Sequence, residues 1–198
     1  INKELMKKLF TLVVAAFAAL SVSAKEDIDI SSIATDNVVT FTSQWQWKGI
    51  NYGSTDEATG ETTYADKSAF DYVVFEYTTG TCAEVNLTAQ YEKDGTTGQY
   101  GANYYTSTET GTVFPTGGIL AVKLDAAHSK TMNAVALQNR NTVGAITIKA
   151  AYFASEAEYE EAKAAADKIE KTFDIDATGG THELKAKAYG WDSKWLDK

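Results

Sequence analysis

The sequence contains very little cysteine, histidine and proline, and each shortage excludes a kind of protein. Because Cys82 is its only cysteine, the chain of 198 residues cannot form an intrachain disulfide, and we expect a buried free thiol. The two histidines, His128 and His182, lie far apart and in no H-x-x-x-H frame, so a transition-metal centre is not expected. A single proline argues against a stiff proline-rich linker.

Positive charge and catalytic motifs are also scarce. The formal charge is −9, and no run of Lys and Arg interleaved with aromatic residues occurs, so nucleic acid is a poor candidate partner. The sequence has neither a G-x-S-x-G nucleophile motif nor a glycine-rich phosphate loop. A small glycosidase or lyase would need two carboxylates that face each other across a cleft. Glu76 and Glu84 lie on predicted strands, where a charged side chain is usually solvated, so we predict that this segment is not an enzyme.

No cofactor is expected from the residue types present. A structural calcium ion is the one metal that the composition favours, because aspartates and loop carbonyl groups are plentiful, and Asp27, Asp29 and Asp71 are its candidate ligands. No D-x-D-x-D-G loop supports such a site.

The N-terminal segment is typical of an export signal. From Met6 the sequence reads MKKLFTLVVAAFAALSVSA, with two lysines, an apolar stretch and small residues up to Ala24. We predict a signal peptide over residues 1–24, including the five residues before Met6, and a secreted or cell-surface protein. The alternative is a membrane anchor, but the apolar run is short for a span and no comparable run follows it. The residue directly after the predicted cleavage site is Lys25 and not a cysteine, which argues against a lipid anchor.

Between Ile28 and Phe153 the pattern is that of β-strands. The segment EVNLTAQY alternates, with apolar residues at every second position from Val85 to Tyr91, and predicts a half-buried strand. The segment FDYVVFEY is apolar on both faces and predicts a central strand. The remaining predicted strands are VVTFTS, GILAVKL, NAVALQN and AITIKAAYF, with turns at Asp94-Gly95, Thr110-Gly111, Pro115 to Gly118 and Asn141 to Gly144. This pattern predicts an all-β antiparallel sandwich over residues 25–154.

A helix is predicted directly after the strands. The segment SEAEYEEAKAAADKIEKTF begins with a capping box formed by Ser155 and Glu158, and its apolar residues recur at spacings of three and four. We predict a helix over residues 155–172, which is either a spacer or docks on the sandwich.

The last residues loosely repeat the N-terminal pattern. In residues 173–198, Tyr189 and Trp191 correspond to Trp45 and Trp47, each pair after an alternating run. This favours the beginning of a second, truncated β module in a tandem array. The alternative is that these residues add a last strand to the first sandwich.

Aromatic and amide side chains make up the chemistry that is present. Trp45 and Trp47 stand two residues apart in SQWQWKGINYG, so in a strand they would share one face, as part of a core or as an exposed platform. Pyranose rings stack on indole and phenol rings, while amides and arginine bind the ring hydroxyls. The predicted carbohydrate-binding residues are Trp45, Trp47, Tyr100, Asn103, Tyr104, Gln138 and Arg140.

Several of these segments together resemble a known family. The segment DYVVFEY, the early Trp-x-Trp pair, ALQNRNTVGAITIKAAYF and SEAEYEEAK are similar to the jelly-roll carbohydrate-binding modules of secreted bacterial cellulases and hemicellulases, over Ile28 to Ala164. The resemblance implies a non-catalytic jelly-roll module whose concave sheet holds one β-glucan or xylan-like chain and keeps a linked glycosidase near its substrate. The residues that match such a site are Trp45, Trp47, Tyr104, Gln138 and Arg140.

Two hypotheses of different classes follow. The leading one is a module that binds a plant-type polysaccharide by aromatic stacking and amide hydrogen bonds and is covalently linked to a downstream catalytic domain. The alternative is a structural or adhesive surface module in a tandem array, with its aromatic residues in the core and proteins as partners. Exposure or burial of Trp45 and Trp47 distinguishes the two.

Overall fold

The computed structural model describes residues 25–99, 101–140 and 142–167. A short 3-10 helix spans Ser129–Thr131, and the α-helix α1 spans Glu156–Asp167. The strands are β1 Glu26–Asp27, β2 Val38–Phe41, β3 Trp47–Asn51, β4 Ser54–Thr55, β5 Thr62–Thr63, β6 Tyr72–Gly80, β7 Glu84–Gly98, β8 Gly101–Thr112, β9 Gly118–Lys123, β10 Ala134–Asn139 and β11 Gly144–Ala154.

The strands form two antiparallel sheets with a shared core. In sheet A, β11, β6 and β9 lie side by side, and β1 and β2 pair with different parts of β11. Sheet B has the order β3-β10-β7-β8, and β4 and β5 form a separate small hairpin. The chain passes between the two sheets in the order of a jelly roll. The predicted all-β antiparallel sandwich followed by one helix is confirmed.

The apolar core lies between the sheets. Alternate residues of β7, from Val85 to Tyr91, face it as the sequence predicted, and Phe75 of β6 is fully buried there. Each large apolar side chain buried in this way contributes about 1.5–3 kcal/mol. Cys82 is a buried free thiol, as predicted, and burial raises its pKa.

Helix α1 docks on the outer face of sheet A. Its capping box is formed as predicted, since the Ser155 N–H donates to Glu158 Oε2 at 3.0 Å and the Glu158 N–H donates to Ser155 Oγ at 3.4 Å. Tyr159 stacks on Tyr72 of β6 with ring centroids 4.1 Å apart. The helix therefore covers the outward apolar residues of β6, which explains why FDYVVFEY is apolar on both faces.

Two of the predicted turns are wrong. Asp94-Gly95 lies inside β7, where irregular pairing with β8 accommodates Gly95 at a φ of 80°. Thr110-Gly111 lies inside β8, and residue 111 is glycine because the Leu120 side chain of sheet A occupies the space that a Cβ would need. In both places the glycine lies within a strand, where it permits either irregular pairing or close contact with a side chain of the facing sheet. Neither glycine reverses the direction of the chain.

Several predictions concern residues outside the described ranges. These are the signal peptide over residues 1–24, the part of the predicted helix after Asp167, and the second β module over residues 173–198. Within the described ranges, the chain contains no helix with the length and hydropathy of a membrane span.

Candidate functional site

The two tryptophans lie at one end of sheet B but not in one strand. Strand β3 begins at Trp47, whereas Trp45 precedes it with a φ of 58°, a left-handed conformation that is uncommon for a bulky residue. The prediction that one strand carries both indoles is therefore wrong, because alternation of residue types does not reveal a left-handed residue. Both side chains are nevertheless open to solvent, with Trp45 50% and Trp47 42% exposed. Neither belongs to the core.

The strand register places Trp47 at one end of a row of side chains across sheet B. Its partner on β10 is Gln138, followed by Asn86 on β7 and Thr110 on β8. The intervening residues of β7 and β10 face the core, so this row lies on the outer face of the sheet. Because neighbouring strands are about 4.8 Å apart, the row is about 14 Å long.

The next row on the outer face consists of small side chains. It contains Gly49, Ala136, Thr88 and Thr108, and the first of these lies under the indole of Trp47. The indole Nε1 is 2.5 Å from the position that a Cβ on Gly49 would take. The ring therefore extends along β3 over Gly49 and keeps an open side towards solvent.

A third row of mainly polar side chains lies beyond the small ones. It runs from Asn51 through Ala134 to Gln90 and Thr106. We call the outer face between the first and third rows the trough. Gly49, Ala136 and Thr88 form its floor, and of these Ala136 and Thr88 are buried. One rim consists of Trp47, Gln138 and Asn86, and the other of Asn51 and Gln90.

Hydrogen bonds between side chains hold the amides of the trough in place. Thr110 Oγ1 donates to Asn86 Oδ1 at 2.8 Å, and Asn133 Nδ2 donates to Gln90 Oε1 at 2.7 Å. An amide presents both a donor and an acceptor, so a bond at one atom leaves the other for a second partner. The arrangement therefore suits a ligand with many hydroxyl groups.

Arg140 and Glu84 extend the trough on the side of Trp45. The guanidinium carbon of Arg140 lies 5.6 Å from the centroid of the Trp45 ring, a cation–π contact. Its Nη1 is 3.9 Å from Glu84 Oε2, and this ion pair is weak because both side chains are partly exposed. Within the described residues, the buried Nε of Arg140 has no hydrogen-bond partner.

The structure brings four of the predicted site residues together, namely Trp45, Trp47, Gln138 and Arg140. It does not bring Asn103 or Tyr104 to them. Both lie towards the tip of the β7–β8 hairpin, and Tyr104 is about 20 Å along β8 from the row of Trp47, at about 3.3 Å per residue. The Asn103 Nδ2 donates to Thr96 Oγ1 at 2.7 Å instead. Tyr100 lies outside the described residues.

Sequence reasoning missed several residues of the trough. Asn86, Thr88 and Gln90 are the polar half of the alternating segment EVNLTAQY, so the pattern marks them as one outer face. Their alignment with Trp47 depends on the pairing of β7 and β10 with β3, which no local pattern reveals. Gly49 carries no side chain and therefore gave no signal.

The two carboxylates considered for hydrolysis do not face each other. Glu76 lies on the outer face of sheet A and Glu84 on the outer face of sheet B. Glu76 accepts hydrogen bonds of 2.8 Å from Lys149 Nζ and from the Tyr152 hydroxyl. Burial alone would raise the pKa of Glu76, but these two bonds together with the positive charges of Lys149 and Lys25 outweigh it and hold the pKa below its ordinary value.

Two of the three candidate calcium ligands, Asp29 and Asp71, accept hydrogen bonds from backbone N–H groups. The Asp29 carboxylate accepts from the Ser31 N–H at 2.9 Å, and the Asp71 carboxylate accepts from the Glu156 N–H at 2.9 Å. Among the residues that the structure describes, no three His, Cys, Asp or Glu side chains form a group able to hold a metal ion.

Comparison of the chain with protein-family models, with curated proteins and with solved structures gives no significant match. A jelly roll hosts many unrelated functions, so the fold does not define the activity. The case for a function therefore rests on the trough and its side chains.

Proposed function

We propose that the protein is an exported, non-catalytic module that binds one chain of a neutral plant-type polysaccharide, of the β-glucan or xylan type, in the trough of sheet B. Bound there, it keeps an attached glycosidase close to its substrate. The observation that carries the proposal is the Trp47 indole, which lies along the sheet over Gly49 with an open side, at the end of a row of amide and hydroxyl groups.

Stacking and neutral hydrogen bonds supply the affinity in this proposal. The apolar face of a pyranose ring lies against the indole of Trp47, and the amides of Gln138 and Asn86 bind hydroxyl groups at the ring edge. Because side-chain bonds already hold the amides, little conformational entropy is lost when the ligand binds.

The charge distribution favours a neutral ligand. The formal charge of the chain is −9, and the trough contains amides, hydroxyls and a small-residue floor. A polyanion would release counterions on binding and depend strongly on salt, whereas stacking does not. Binding should therefore change little between low and moderate ionic strength.

Export and a further module are supported by sequence patterns, and the attached glycosidase is supported by the family resemblance alone. The segment from Met6 to Ala24 has the charged, apolar and small-residue parts of a signal peptide. The loose repeat in residues 173–198 supports a further module after the sandwich and its helix.

Affinity electrophoresis tests the binding proposal. Gels cast with soluble β-glucan or xylan should retard the wild-type protein, and Trp47→Ala should remove the retardation while the circular dichroism spectrum stays that of the wild type. Tyr105→Ala is the matched control, since Tyr105 is also exposed but stacks on His128, with ring centroids 3.9 Å apart. No retardation of the folded wild-type protein by any glycan would contradict the proposal and favour a structural or adhesive module.

A further inference from the structure

We infer that Asn139 is a positioning residue for ligand binding: from beneath the end of β10 it holds Trp45 in its left-handed conformation beside the trough. The inference rests on the proposed function, and it adds a residue that itself touches no ligand. The sequence alone groups Asn139 with Gln138 and Arg140 as polar residues at the end of a predicted strand.

The side chain of Asn139 is fully buried, and its amide ties two loops together. Its Oδ1 accepts from the Gln46 N–H at 2.8 Å, while its Nδ2 donates to the carbonyl oxygens of Ser43 at 2.9 Å and of Thr142 at 2.6 Å. Ser43 and Gln46 lie on either side of Trp45. One buried amide therefore fixes both ends of the segment that carries the indole.

The neighbours of Asn139 on β10 hold Trp45 from the opposite side of the strand. The Gln138 Nε2 donates to the Trp45 carbonyl oxygen at 3.1 Å, and the Arg140 guanidinium lies over the Trp45 ring. Gln138 and Arg140 project to the outer face, and Asn139 projects inward. Three consecutive residues thus act on Trp45 or on its flanking backbone.

The backbone of Trp45 needs such support. A φ of 58° brings the Cβ of an L-residue close to the carbonyl group of the preceding residue, so this conformation persists only where the surroundings fix it. Without the Asn139 amide, the Ser43 carbonyl and the Gln46 N–H would lose their buried partner. The segment would then relax, and the Trp45 ring would leave the guanidinium of Arg140.

Amide hydrogen exchange of the full wild-type chain, followed by NMR, tests the positioning directly. The Gln46 N–H should exchange as slowly as strand amides although Gln46 precedes β3, because its acceptor is buried. In Asn139→Ala this protection should be lost, and the Trp45 indole resonance should shift towards that of a solvated indole. A Gln46 amide that exchanges at the rate of an open loop in the wild type would overturn the inference.

Titration with cellohexaose or xylohexaose gives a second readout. Asn139→Ala should weaken binding as much as Trp45→Ala does, by about tenfold, and the double variant should lose no more than either single one. Tyr91→Phe is the control, because it removes buried hydrogen bonds to Ser107 and Asp125 that are remote from Trp45 and should keep wild-type affinity. Wild-type affinity in Asn139→Ala, or losses that add in the double variant, would also overturn the inference.

The two proposals fail in different ways. If the folded wild-type protein binds neither hexasaccharide, the proposed function is wrong, but the exchange of the Gln46 amide still decides whether Asn139 holds Trp45. If Asn139→Ala does not fold, the wild-type exchange rate decides by itself.

Discussion

The Trp47 indole lies along β3 over Gly49, with its Nε1 2.5 Å from the position that a Cβ at residue 49 would occupy. The exposed ring therefore depends on the absence of a side chain two residues further on. In the sequence, Trp47-Lys48-Gly49 is the local pattern that allows an indole to lie down on a sheet.

Gly49→Ala should displace the indole of Trp47 and weaken glycan binding by about tenfold, because the new methyl group occupies the place of the ring. Isothermal titration with a hexasaccharide measures the change. The backbone at Gly49 belongs to a regular strand, so the fold should remain.

The double variant Gly49→Ala with Trp47→Ala serves as the control for this effect. Once the indole is absent, the added methyl group should cost no further affinity. If Gly49→Ala lowered the affinity equally with and without Trp47, the methyl group would disturb the sheet itself and not the position of the indole.

Trp45→Gly should be more stable to unfolding than Trp45→Ala by about 1 kcal/mol. Both variants remove the indole, but only glycine adopts the left-handed backbone of residue 45 without a steric penalty. Urea unfolding of the two variants measures the difference. Equal stabilities would mean that residue 45 is not held in this conformation in solution.

Lys67 should contribute to stability mainly through packing. Its side chain is 9% exposed, its Nζ bonds to Glu26 and lies 4.8 Å from the centroid of the Phe153 ring. Lys67→Ala should lower the free energy of unfolding by about 2 kcal/mol or more. Lys67→Met, which keeps the apolar part of the side chain, should lower it clearly less. Glu26→Gln isolates the ion pair and should cost less than about 1 kcal/mol, since Glu26 is half exposed. Thermal unfolding would contradict this order if Glu26→Gln were the most damaging change.

The ionisation of Glu76 should make the free energy of unfolding decrease at acid pH. Its folded-state pKa lies below the ordinary 4.5, because the bonds from Lys149 and Tyr152 and the charges of Lys149 and Lys25 outweigh burial. The ionised form therefore stabilises the fold above pH 4.5. This stability is lost as the pH falls through the lowered pKa. Glu76→Gln should lower the melting temperature at pH 7, and the gap to the wild type should narrow towards about pH 3. A gap that stays constant with pH would contradict this assignment.

Local patterns were sufficient for most of the fold. The alternation in EVNLTAQY identified the buried face of β7, and the capping box of Ser155 and Glu158 identified the start of α1. Both signals depend on residues close in sequence, and tertiary packing reinforced them. The turn predictions failed at Asp94-Gly95 and Thr110-Gly111. Gly95 accommodates irregular pairing between β7 and β8, and Gly111 leaves room for the Leu120 side chain of sheet A.

The sequence predicted only some of the residues of the candidate site. Residue chemistry identified Trp47, Gln138 and Arg140, since exposed aromatics and amides are typical of glycan sites. The register that aligns Gln138 with Asn86 joins segments far apart in the chain, and the left-handed backbone of Trp45 depends on a buried amide of β10. These relationships are non-local, so no window of sequence contains them.

Chemical-shift mapping of the full chain with cellohexaose and xylohexaose tests the central claim most directly. We expect one of the two ligands to move the Trp47 indole and the side-chain amides of Gln138 and Asn86 the most, with the outer face of sheet A around Glu76 unaffected. Saturating amounts of both ligands that leave the trough resonances unchanged, or shifts confined to sheet A, would contradict the account.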